Sequence, residues 1–293
     1  MNCARNLTVA LAIVLSSAAV AQIGEPIRVR GDKFYAGNDE FRIWGFSLCH
    51  GMSLTDRQLE QSMDRMKFLG TNMVRLHTLF QTMWSDWAGN PCGILPPCKA
   101  SNTSRKFVNL DAFWKFLNAL RDRGIYYSIN LVHRRMYLPD DADILTTTDA
   151  DREAWRRATA EMLAPKRPLT MRHLCRFDER AEAIEVETIT NFMNLVNPKT
   201  GQRIADDPFF AMIETVNEAT GPRWIRESKI AEQLPAYFRD KLVGRWCDYL
   251  AEKYGSEDKL KEAWAQPGLT VLAEGESLAA RTIGLHPVLD EFD

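Results

Sequence analysis

The chain has 293 residues, 45% of them apolar and 26% charged, with a formal net charge of −2. That length supports one large domain or two small ones, and the composition is that of a globular protein. A near-neutral balance without a basic stripe argues against a nucleic-acid partner.

The first residues read as a targeting segment rather than as fold. Arg5 precedes a mostly apolar run from residue 7 to 20, and the small-x-small triplet 19–21 before Gln22 fits a cleavage site. A secretory signal peptide over 1–21 is expected, with 22–293 as the mature domain. An uncleaved membrane anchor is the alternative, although the run is short for a span. Once the signal is removed, no membrane partner is expected, and the mature protein would be secreted or periplasmic. Of the six cysteines, Cys3 falls in this segment, leaving Cys49, Cys92, Cys98, Cys175 and Cys247. An exported chain can form disulfides, and Cys92 and Cys98, which flank one loop, are the candidate pair.

Residues 26–47 alternate around a turn-like stretch at 36–40, which predicts one β-hairpin whose second arm runs into a strand ending near Ser47. Thr55 is a candidate N-cap for a helix carrying Leu59, Met63 and Met66 on one face and closed by Leu69 and Gly70. A short strand, 72–77, follows. The unit repeats: a helix with Leu110, Phe113, Leu117 and Leu120, a stop at Arg123 and Gly124, then a strand over 125–133. A third copy has a helix over 179–196, a turn at 197–201 and a strand over 209–216. Helix-then-strand repeats predict a parallel sheet. Each strand delivers a polar residue at its C-terminal end, where a (β/α)8 barrel builds its active site. A doubly wound sheet also binds there, but no Gly-x-Gly-x-x-Gly turn follows the first strand.

Two long loops follow the second and third strands. The first, about 78–108, holds Trp84, Trp87 and the Cys92–Cys98 pair, and its aromatics fit a cleft wall. It also holds a formal glycosylation sequon at 102–104. The second, about 134–178, holds Arg134, Arg135, Tyr137 and Trp155. His173, Cys175 and Asp178 lie close in sequence, but the spacing is not a standard zinc pattern and no metal site is expected. After the fourth strand the chain reads as a helical insertion, about 222–293. Leu234, Tyr237, Phe238, Leu242, Trp246 and Tyr249 recur at helical spacing and are assigned to the core.

The fourth strand ends in IETVNEATG, residues 213–221. Period two puts Glu214, Val216 and Glu218 on one face. Glu214 lies deeper and needs a cation, for which Arg75 and its planar fork are suited. It reads as a structural anchor. Glu218 at the mouth, beside the Asn217 amide, is placed to have its pKa raised and to act as a general acid.

Taken together, 42–47, 70–77, 124–133 and 214–218 resemble the retaining glycoside hydrolases of the cellulase and β-mannanase type. The resemblance covers roughly 26–265 and is poor at naming the sugar. It implies a (β/α)8 TIM-barrel fold and hydrolysis of a β-linked poly- or oligosaccharide, with no metal or organic cofactor. It makes Glu218 the acid/base and Asn217 the ligand of the hydroxyl beside the reacting carbon. Arg75 would support the nucleophile, and His133 and His77 would line the cleavage subsite.

The chain departs from that pattern in one respect. Retaining hydrolysis needs a second carboxylate about 5 Å from the first, which the family carries on the seventh strand. Only four strands are read here. Glu274 and Glu276 are the late carboxylates, and the segment before them is a poor strand. The expectation is therefore the N-terminal half of a barrel: a fragment of a longer protein, a truncated reading frame, or half of an assembly that self-associates through open barrel edges. A non-catalytic carbohydrate-binding fragment or pseudoenzyme is the rival, and an unstable, inactive fragment is a third reading.

Overall fold

The computed structural model describes residues 24–48, 54–77, 79–80, 93–94, 107–132, 137–164, 174–217, 233–268 and 270–285. The expected signal segment, the sequon, Trp84, Trp87, Cys49, Cys92, Cys98, His133, Arg134, Arg135, His173 and Glu218 lie outside the described residues. Among the described residues, no helix is long and apolar enough to cross a membrane.

The chain opens with a three-stranded antiparallel meander, β1 (Ile27–Arg30), β2 (Lys33–Ala36) and β3 (Asp39–Glu40). One hairpin turning at 36–40 was expected, so this is a correction. Gly31 and Gly37 both adopt left-handed φ, 62° and 60°, and each permits a tight turn, so the segment folds back twice. Residues 41–44 are not strand either. The Asn72 side chain holds them, accepting from Trp44 N (2.9 Å) and donating to Arg42 O (2.7 Å).

The main sheet is parallel, with β4 (Gly45–Leu48), β5 (Met73–Leu76), β6 (Tyr126–Val132) and β7 (Phe210–Val216) side by side in chain order. Helices α1 (Asp56–Phe68), α2 (Leu110–Arg121) and α4 (Glu179–Met193) each precede the next strand. Sequential parallel strands joined by helices form the arrangement of one half of a (β/α)8 barrel. The protein is thus α/β with a partial barrel.

Local chemistry explains the boundaries. Thr55 and Gln58 form a capping box at the start of α1, which satisfies donors that would otherwise be orphaned. Asp178 caps α4, accepting from Arg180 N and Ala181 N. A Cβ on Gly45 would lie 1.8 Å from the Met73 carbonyl oxygen, so only glycine lets β4 approach β5 this closely.

The principal core lies between sheet and helices. Val74, Leu76, Ile129 and Leu131 from the strands meet Leu59, Met63, Phe113, Phe116, Leu117, Leu120 and Phe192 from the helices. A second core gathers Tyr137, Trp155, Leu174, Ile184, Leu234 and Phe238 around α3 (Asp149–Leu163), a helix capped by Thr148 that corrects the reading of 134–178 as a loop. The Trp155 indole is fully buried and donates to Leu138 O. A third, small core of Cys247, Leu250, Leu260 and Ile283 joins α5 (Ala236–Tyr254) to α6 (Glu257–Trp264).

Candidate active site

Strand parity sorts the sheet into two faces. Val74, Leu76, Ile129 and Leu131 turn to the helices, and the opposite face carries Gly45, Ser47, Met73, Arg75, Ser128, Met212 and Glu214. These residues line an open cavity of about 440 Å³ together with Ile43, Phe46 and Ile213. The register sets Ser47, Arg75, Ser128 and Met212 at one level, with Asn130 and Glu214 paired at the next.

Arg75 organises this face. Its Nε donates to Glu214 Oε2 at 2.9 Å, and a second nitrogen of the fork donates to the same oxygen. That second nitrogen also donates to Asn217 Oδ1 at 2.9 Å, and the third donates to Ser47 Oγ at 3.1 Å. One guanidinium therefore ties the ends of β4, β5 and β7 together, as its planar fork of five donors allows. The contact to Asn217 fixes the amide's orientation, with its oxygen turned to Arg75. Asn217 is itself buried, at 8% exposure, immediately before Glu218 in the chain.

Glu214, expected deep in the sheet as the partner of Arg75, is paired with it but not enclosed. Its side chain keeps 39% of its exposure and that of Arg75 31%, because among the described residues no strand or helix covers the open face of the sheet. His77 follows β5, with its backbone N–H bonded to Leu48 O.

Ser47, Ser128 and Asn130 were not singled out as site residues. Ser128 and Asn130 stand two apart in an otherwise apolar strand, and that parity was the available signal. Asn130 is fully buried, and among the described residues neither its amide nitrogen nor its oxygen has a hydrogen-bond partner. Nearly all buried polar groups are paired, so this orphan on the polar face of the sheet marks a place where the site is under-satisfied.

No group of three or more metal-ligating side chains occurs among the described residues. Asp178 is held by Arg180 and by the α4 cap, and burial pushes the Cys175 thiol up. Neither late glutamate stands at a strand end: Glu274 lies in a turn and Glu276 just after it. Glu276 accepts from Ala273 N and Gly284 N, which engages both of its oxygens locally, and Glu274 is exposed.

No protein-family model matches the chain, and no curated protein matches it. Solved structures do. The endo-1,4-beta-mannanase from Rhizomucor miehei aligns at 15% identity over 78% of this chain and 58% of its own, with a TM-score of 0.43. A mutant Glycoside Hydrolase Family 5 mannosidase from the same organism, in complex with mannosyl-fructose, aligns at 14% over 74% and 54%, with a TM-score of 0.45. The endo-beta-1,4-mannanase from Thermotoga petrophila aligns at 14% over 73% and 41%, with a TM-score of 0.40. The chain spans only 41 to 58% of the length of these three structures.

Proposed function

We propose that this chain carries the acid/base half of a retaining glycoside hydrolase acting on a β-linked poly- or oligosaccharide outside the cytoplasm. The observation that carries the reading is the Arg75 guanidinium bound at once to Ser47, Glu214 and Asn217. It locks a polar constellation at the C-terminal ends of parallel strands, where βα sheets place their chemistry. Glu218, the next residue after Asn217, is the proposed general acid. It protonates the departing glycosidic oxygen and then, as base, takes a proton from the water that releases the sugar. Asn217 offers its amide N–H to a sugar hydroxyl, its oxygen being committed to Arg75. His77, His133, Trp84 and Trp87 are proposed to line the cleft, and Cys92–Cys98 to staple its wall. Among the described residues no strand-end carboxylate is free to act as nucleophile. Glu214 is committed to Arg75, Glu274 lies in a turn, and Glu276 accepts backbone hydrogen bonds at both oxygens.

The test is hydrolysis of aryl β-glucosides and β-mannosides by the purified protein. Glu218→Gln should lower kcat/KM by about 10²- to 10⁴-fold, the usual contribution of a general acid. Full activity in the variant removes Glu218 from the role.

One observation favours a second reading. With no free strand-end carboxylate among the described residues, the second reading is a chain that binds carbohydrate without turning it over. Saturable oligosaccharide binding with no aryl-glycoside hydrolysis by the wild type selects this reading.

A further inference from the structure

We infer that Asn130 is a positioning residue of the strand-end site: its carboxamide is kept free for Glu214 and pairs with it when a saccharide covers the sheet face. The occupant is the one named by the proposed function, on which this reading rests. Asn130 is 0% exposed, and among the described residues its amide has no hydrogen-bond partner at either end. It stands directly opposite Glu214 in the β6–β7 register, and parity puts it on the same side of the sheet as Ser128. Arg75 meanwhile binds Glu214 through Oε2 alone, so among the described residues Glu214 Oε1 accepts no hydrogen bond.

A donor without an acceptor thus stands beside an acceptor without a donor, on neighbouring strands about 4.8 Å apart. The open protein tolerates this because water reaches Glu214, whose side chain keeps 39% of its exposure. A ligand changes the balance. Glu214 lines the sheet-face cavity and Asn130 does not, so an occupant strips water from the carboxylate without touching the amide. A carboxylate oxygen taken out of water needs a donor, and Asn130 Nδ2 is the one that the register supplies. Side-chain rotation is enough to make the bond, because the two Cα positions are already paired. With Oε2 on Arg75 and Oε1 on Asn130, the carboxylate is fixed at both oxygens. Through Arg75 this steadies Asn217, whose Oδ1 accepts from the same guanidinium at 2.9 Å.

A purely structural amide would be paired in the free protein, as nearly all buried polar groups are. Here the orphaned amide destabilises the free state and not the occupied one. Asn130 therefore adds to affinity without adding to stability, since only a difference between the two states strengthens binding.

The test is calorimetric titration of the full chain with mannohexaose and with cellohexaose, in a Glu218→Gln background so that no turnover intervenes. Asn130→Leu should weaken binding about tenfold, the share of one hydrogen bond to a charged group, while the thermal midpoint of the free protein holds or rises. Asn130→Asp is isosteric but, when ionised, has no proton to donate. It should bind as weakly as Asn130→Leu at about pH 8. At about pH 5 it should return to within about threefold of the parent at that pH, because a carboxyl crowded by Glu214 takes up a proton and donates it. A side chain needed only for packing gives no such recovery. Unchanged affinity in Asn130→Leu overturns the inference, as does Asn130→Asp binding that stays weak at about pH 5. A midpoint several degrees lower in Asn130→Leu also overturns it, since the amide is then paired in the free protein. Binding of neither hexaose by the parent overturns the proposed function and this inference with it. Binding that both variants retain overturns this inference alone.

Discussion

Arg75 spends four hydrogen bonds on three side chains, and none of its partners is near it in sequence: Ser47 is 28 residues away, Glu214 139 and Asn217 142. Beside this satisfied group sits Asn130, buried and unpaired. An orphaned buried amide costs about 1–3 kcal/mol, whereas an apolar group of the same shape costs nothing comparable. Asn130→Leu is therefore expected to leave the thermal midpoint unchanged or raise it. A drop of several degrees would show that the amide is satisfied in solution. Tyr127 is the opposite case. Its buried hydroxyl donates to Asp207 at 3.0 Å, and burial, reinforced by the Asp207 carboxylate, pushes the phenol well above its ordinary value. A phenol that holds its proton more tightly when folded contributes its full stability below about pH 10 and loses it as pH rises further. Tyr127→Phe should accordingly flatten the alkaline fall of the melting midpoint. An unchanged slope would remove Tyr127 from that role.

At the scale of elements, α1 is specified locally from both ends. Thr55 and Gln58 cap it reciprocally, and Arg65 and Lys67 stand in its last turn, where cations complement the helix dipole. Thr55→Ala is expected to cost about 1 kcal/mol, read as a lower urea midpoint with an unchanged m-value. No shift would mean that tertiary packing alone holds the helix. The N-terminal meander shows where local reading stops. Period two identifies strand character in 26–41, but it does not say which of several turn-forming residues turn. Left-handed φ at Gly31 and Gly37 decides that. Likewise, helical spacing correctly grouped Leu234, Phe238 and Trp246 with apolar surroundings. It could not show that Tyr249, on the edge of the stripe, stays half exposed, because coverage depends on α6 and on the residues around Ile283.

For the molecule as a whole, the open sheet is the dominant feature. Among the described residues β4 and β7 each have one strand neighbour, and apolar side chains flank both edges. Ile43 is 42% exposed, Trp44 65%, Phe46 44% and Ile213 43%. Unpaired parallel edges with apolar flanks recruit further strands. We expect concentration-dependent self-association in sedimentation velocity, reduced in Phe46→Lys and Ile213→Lys. A monomer at all concentrations would show that the edges are already covered.

Much of this architecture was legible in the sequence, because the signals involved are local. The 3.6- and 2-residue periods, the Thr55 cap and the glycine stops mark α1, α2, α4 and the strands of the parallel sheet, but α3 lies in a stretch read as a loop. The alternation of those helices and strands dictates a parallel sheet. Contacts between distant strands belong to the tertiary structure. It determined that one arginine joins Ser47, Glu214 and Asn217, that Asn130 is stranded without a partner, and that the ion pair stands partly open. The register across four strands sets those contacts, and register depends on the whole sheet packing at once, not on any one segment's pattern.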